Sequence, residues 1–166
     1  MLVVPSRDWA TLRIWEAGQG KLITSDPEDQ RAEICRDRIA EWPAEIRDLT
    51  AFIQITSKDL FDGLSANANV RFGLSFIDGD HTYAAALTDL IGCARYADDD
   101  SVIVVDDFDQ AQVNWAVRDF LRLHPGWREL GGAFDDNAGD DPFEGMRPSL
   151  PGLPFLILVG PAAAGL

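Results

Sequence analysis

Two apolar runs in this chain end abruptly in carboxylates: Phe76-Ile77-Asp78-Gly79-Asp80-His81-Thr82-Tyr83 and Val102-Ile103-Val104-Val105-Asp106-Asp107-Phe108. A short run rich in β-branched and aromatic residues, bounded by polar ones, reads as a buried parallel strand. The acids then fall at the carboxyl end of each strand, where open α/β sheets bind their ligands. Two adjacent strand ends would gather Asp78, Asp80, Asp106 and Asp107 around one crevice. Clustered like charges are costly unless a cation or shared protons neutralise them. The simpler alternative is that these acids cap the helices that follow.

The rest of the chain alternates in the same way. Residues 21–25 read as a strand ending at Asp26. Asp26-Pro27-Glu28-Asp29 then opens a helix with an Asp cap and Pro at the first helical position, and Cys35, Ile39 and Trp42 form its apolar stripe. Residues 50–56 form the next strand, with a helical start at Ser57-Lys58-Asp59. The helix after residues 72–77 carries Tyr83, Leu87, Leu90, Ile91 and Ala94 on one face. The helix after residues 101–105 carries Val113, Ala116, Val117, Phe120 and Leu121 and stops before Pro125-Gly126. Residues 127–134 and 153–159 are the last strands. An acidic, Gly- and Pro-rich segment, 135–151, separates them, and its acidic start, residues 134–141, reads as a solvated loop that would serve as a lid. Strand–helix alternation predicts right-handed βαβ units. The expected fold is α/β: a doubly wound, mostly parallel, Rossmann-like sheet with an antiparallel strand pair at the carboxyl edge.

Length suits one domain, 1–166. A formal net charge of −14 argues against nucleic acid or an anionic membrane as partner. No apolar run is long enough to span a bilayer, and the start is too short for a signal peptide, so a cytoplasmic protein is expected. Cys35 and Cys93 lie in helical patterns and read as small core residues. Trp115 and Trp127 read as packing residues, and Asp89 and Asp109 as solvated acids.

The motifs and strand order, over residues 9–159, resemble the class I S-adenosylmethionine-dependent methyltransferases, among them the small methyltransferase domains related to sugar and macrolide O-methyltransferases. The Asp78-Gly79-Asp80-His81-Thr82-Tyr83 string carries most of the resemblance. It implies an enzyme methylating a hydroxyl of a small molecule with S-adenosylmethionine as cofactor. In metal-dependent relatives, an acid ending the fourth strand and a pair ending the fifth hold Mg2+; by position these are Asp78, Asp106 and Asp107. Three carboxylates suit such a hard cation, which would lower the pKa of a substrate hydroxyl. Asp80 or His81 is then the candidate general base, although a loop histidine paired with a carboxylate is an equal alternative for His81. The resemblance also implies that Asp26 accepts hydrogen bonds from the cofactor ribose, that Ser57 touches the adenine and that Asp78 adjoins the cofactor.

The departure from the family lies at the amino end. Leu2-Val3-Val4-Pro5-Ser6-Arg7-Asp8-Trp9 has no glycine where the family turns closely around its cofactor. Glu16-Ala17-Gly18-Gln19-Gly20 stands too near the strand at residue 21 to replace that loop. Residues 9–16 read instead as a helix, with Gly18 to Gly20 as its terminal turn. The domain is therefore expected to be shortened at its amino end. A catalytically inactive binding or partner protein is the alternative function, and a homo-oligomer burying an incomplete sheet edge is a further expectation.

Overall fold

The computed structural model describes residues 18, 20–65, 70–130 and 155–161, which fall in two units, Met1–Asn67 and Ala68–Leu166. In the first unit, β1 (Leu22–Ser25) pairs in parallel with β2 (Thr50–Ile53), from Leu22↔Thr50 to Ser25↔Ile53. Helix α1 (Asp29–Ala40), a short α2 (Ala44–Arg47) and α3 (Ser57–Leu64) complete it. The first of these begins later than the Asp-Pro pair suggests. Asp26 Oδ1 accepts the Glu28 N–H at 2.9 Å, closing a turn that places Pro27 before the helix. The first helical bond then runs from Ala32 N to Glu28 O. The α1 stripe buries Ala32 and Cys35. No apolar period announces α2, which is one turn hung from the Pro43 carbonyl. Thr56 caps α3, its hydroxyl accepting the Asp59 N–H.

The second unit contains β3 (Phe72–Ile77), α4 (Tyr83–Arg95), β4 (Ala97–Val105), α5 (Ala111–Leu123), β5 (Arg128–Glu129) and β6 (Leu156–Val159). Its strand order is β3-β4-β6-β5. β3 and β4 are parallel, and β6 runs antiparallel to both of its neighbours. The expected antiparallel pair is therefore present, with β6 the inner member and β5 at the edge. Apolar positions alternate along β4 and β6, so that Ile103, Val105, Leu156 and Leu158 are buried, and α4 packs against α5. Phe120 lies fully buried in that core, stacked on His124 and edge-on to Trp127.

Several expectations shift here. β4 starts at Ala97 rather than Ser101, because the exposed run Asp98 to Asp100 extends a strand whose inner half is apolar. The buried face of α4 comprises Ala86, Asp89, Leu90, Gly92 and Cys93, whereas Ile91 is 42% exposed. Asp89 is accordingly a buried acid rather than a solvated one. Trp115 faces outward, unlike Trp127. Both cysteines are free and buried. Gly18 and Gly20 hold positive φ, which glycine adopts without strain. The 9–16 helix, the glycine-free stretch before it and the 135–151 loop lie outside the described residues. No described helix is long and apolar enough to cross a membrane.

Candidate active site

The parallel pairing of β3 with β4 aligns Ile77 with Val105, and the Asp106 N–H donates to the Ile77 carbonyl at 2.8 Å. Asp78 and Asp106 therefore leave the sheet side by side. Beyond that point the two loops are shaped differently. After β3, Asp80 Oδ1 accepts the Thr82 N–H at 3.0 Å, and Thr82 caps α4. After β4, the chain turns through Asp107 with φ of +52°, a left-handed conformation that Asp adopts more readily than most residues. Phe108 is buried immediately after it and anchors the turn.

That turn decides which side chains meet. Asp106 Oδ1 accepts the Asp107 N–H at 2.8 Å, while the Asp107 carboxylate swings toward the β3 loop. There Asp107 Oδ2 lies 2.8 Å from His81 Nε2. The other ring nitrogen, Nδ1, is 3.0 Å from the Gln110 side-chain nitrogen, and Gln110 is the N-cap residue of α5. Donor atoms of Asp78, His81 and Asp107 all lie within 4.8 Å of one another. Among the residues expected from sequence, the structure thus gathers Asp78, His81 and Asp107. Asp80 stays exposed in its own turn, and Asp106 stands beside the group with one oxygen engaged by backbone. Gln110 was not foreseen; a polar residue before a helix gives no signal of a partner 29 positions away.

The electrostatics follow from this crowding. Burial raises the Asp78 carboxyl above the ordinary aspartate value, and the charges of Asp106 and Asp107 raise it further, against a smaller opposing effect of His81. Burial likewise raises Asp106, partly countered by the Asp107 N–H. Both carboxyls favour the neutral form more than an isolated aspartate does, and a dication would relieve the same strain. Of the three expected Mg2+ ligands, Asp78 and Asp107 converge and Asp106 stands beside them with one oxygen engaged by backbone. The donor set that converges contains an imidazole, and Asp106 is not one of its three members.

In the first unit, β1 ends in Ser25 and Asp26, which are almost wholly buried. Asp26 Oδ1 holds the Glu28 N–H. Its Oδ2 is enclosed without a hydrogen bond, the Arg31 guanidinium standing 3.8 Å away. A buried carboxylate oxygen of this kind fits a ligand hydroxyl as donor. Ser57 is half-buried at the first turn of α3.

Comparison with known proteins extends these observations. The protein is similar in fold to the O-methyltransferase of Bacillus cereus, solved in complex with SAH, at a TM-score of 0.64 and 15% identity over 96% of this chain and 82% of that one. It is similar to the TDP-rhamnose 3'-O-methyltransferase of calicheamicin biosynthesis at a TM-score of 0.57 and 15% identity, over 84% and 58% of the two chains. The O-methyltransferase of Streptomyces achromogenes involved in tomaymycin synthesis, solved with SAM, gives a TM-score of 0.54 and 18% identity, over 85% and 62%. The chain thus spans about three fifths of the length of the latter two. These likenesses bear out the Rossmann-like α/β fold. No curated protein sequence matches the chain. A family model described as a methyltransferase domain matches residues 9–108, which is more than half of the sequence and ends just beyond the acids of β4. The chain belongs to that methyltransferase-domain family.

Proposed function

We propose that this protein transfers the methyl group of S-adenosylmethionine to a hydroxyl of a small molecule. The observation that carries the reading is the convergence of Asp78, His81 and Asp107 at the carboxyl ends of two adjacent parallel strands, in a chain of the methyltransferase family. Structural neighbours solved with SAH or SAM support the choice of cofactor. Bound S-adenosylmethionine supplies a methyl group on a positively charged sulfur. The acceptor oxygen forms the new C–O bond as the S–C bond breaks, and its proton must leave.

The chain's own residues then divide the work. Asp26 accepts the ribose hydroxyls through its enclosed Oδ2, and Ser57 lies beside the adenine. Asp78, His81 and Asp107 orient the acceptor hydroxyl. Its proton is received at the strand ends, where Asp80 stands exposed and where burial makes Asp78 and Asp106 stronger bases than ordinary aspartates. His81, with Asp107 and Gln110 beside its two ring nitrogens, is the alternative receiver.

Calorimetric titration with S-adenosylmethionine tests the assignment. Binding is expected, with Asp26→Ala weakening it roughly 10- to 100-fold, the worth of hydrogen bonds to a buried carboxylate. Absence of binding at millimolar ligand would refute it and leave a non-catalytic domain of the same fold.

A further inference from the structure

Helix α4 starts with little of the packing that holds the rest of it. Its buried face begins at Ala86, and the three helical residues before that, Tyr83, Ala84 and Ala85, are not buried. The preceding loop offers this first turn only short polar contacts. Thr82 Oγ1 accepts the Ala85 N–H at 3.4 Å, and Asp80 Oδ1 accepts the Thr82 N–H at 3.0 Å. Both acceptors belong to the loop whose position is in question, so neither can fix it. The Tyr83 N–H is one of the initial amides that no carbonyl of the same helix can satisfy.

Helix α5 supplies the missing attachment. Gln112 Oε1 accepts the Tyr83 N–H at 3.0 Å, a cap delivered by a different helix. The Tyr83 hydroxyl donates to Asp119 Oδ2 at 2.7 Å. Asp119 is fixed in turn by Arg122, whose Nη2 donates to its Oδ1 at 3.0 Å. Gln112 and Asp119 lie about two turns and 10 Å apart on one face of α5. Tyr83 is therefore held along that face at both ends, by its main-chain nitrogen and by its phenol. Two attachments fix the direction of the first turn of α4 as well as its place.

This clasp bears on the chemistry through what each helix start is joined to. The Gln110 N–H donates to the Asp107 carbonyl at 2.9 Å, which ties the start of α5 to the turn after β4. The Gln110 side chain stands 3.0 Å from His81 Nδ1. Tyr83 comes just after Asp80 and His81, the residues able to receive the proton of the acceptor. The contacts close a circuit. It runs from β3 to β4 through the Ile77 carbonyl and the Asp106 N–H, then through Asp107 and Gln110 into α5, and back through Gln112 and Asp119 to Tyr83.

We propose that Tyr83 is a positioning residue for the proton-receiving pair Asp80 and His81, and that it acts through Gln112 and Asp119 of α5. The proposal rests on the reading of these strand ends as the acceptor side of a methyltransferase.

The two histidines of the chain, His81 and His124, supply the test. His124 ends α5 and is stacked on the buried Phe120. Its ring reports any general loosening of α5, whereas the His81 ring reports the loop. In ring-nitrogen NMR, Gln112→Ala and Tyr83→Phe should each move the His81 signals toward those of free histidine and leave His124 in place. Each hydrogen bond lost should populate the loosened loop roughly fivefold more. Gln112→Glu keeps an acceptor oxygen and adds a charge suited to a helix start, so it should return the His81 signals to their wild-type positions. S-adenosylmethionine affinity, by calorimetry, should stay within about twofold in all three variants, because none of the substituted groups is assigned to the cofactor.

Unchanged His81 signals in Gln112→Ala and Tyr83→Phe, joint movement of His81 and His124, or no recovery in Gln112→Glu would each overturn the proposal. Gln112 is exposed, so its two variants decide the matter even if Tyr83→Phe fails to fold. A chain that binds S-adenosylmethionine while His81 ignores the clasp refutes the positioning role and keeps the methyltransferase reading. One that does not bind S-adenosylmethionine while His81 responds refutes the methyltransferase and keeps Tyr83 as the residue that sets the loop.

Discussion

Replacing Asp78 by Asn should make the metal-free protein more stable. Asp78 and Asp107 present oxygens no more than 4.8 Å apart. At that distance two unit charges repel by about 0.9 kcal/mol in water and about 3.5 kcal/mol at an effective dielectric of 20. Both side chains are partly exposed, so solvent screening keeps the value nearer the lower limit. A gain of about 1 kcal/mol at pH 7, or roughly 2–4 °C in Tm for a chain of this size, is expected. The sign with pH is fixed by the direction of the shift. The Asp78 carboxyl is raised above 3.8 in the folded protein. Its penalty is therefore present above the raised value, declines as pH falls through it and is absent below the unfolded value. Thermal unfolding in EDTA at several pH values measures this. A variant that is neutral or destabilised at pH 7, or one whose gain persists unchanged at low pH, would refute the electrostatic account of the site.

Other expected outcomes rest on different parts of the molecule. Phe120→Ala removes a fully buried ring packed on His124 and Trp127, and should cost about 3–5 kcal/mol in urea denaturation. Asp107→Ala should be about 1 kcal/mol less stable than Asp107→Gly in the absence of metal, because both lose the carboxylate but only Ala pays for φ of +52°. Burial pushes the Cys93 thiol up to about 11, so it should resist a thiol-specific chromogenic reagent at pH 8 and react freely in urea. Rapid labelling of the folded protein would contradict its burial.

What the sequence disclosed, and what it hid, follows from how local each signal is. The ends of β3 and β4 were legible to the residue, because Ile77 to Asp78 and Val105 to Asp106 are abrupt changes from apolar to ionic. The α5 stripe was equally clear, with Val113, Ala116, Val117 and Phe120 all buried. On α4 the apolar period pointed to Ile91, but close packing selected Gly92 and Cys93 and took Asp89 inward with them. The strand ends also suggested which acids were available without showing how they would be sorted. That depends on one backbone dihedral at Asp107 and on the reach of Gln110, neither of which has a period or a motif.

The position of β6 also has a consequence for how the second unit is made. β5 has no other strand partner among the described residues, and β6 separates it from β4. β5 therefore cannot join the sheet until the latest of the described strands has been synthesised and has inserted between them. Pairing Val102 with Val159 and Arg128 with Val159 closes long loops, and such contacts form slowly because their chain entropy is lost before they are stabilised. During translation the outer edge of β4 stays open until residue 159 has emerged. That interval, rather than any weakness of the finished core, is when this protein is most exposed to pairing with the wrong strand.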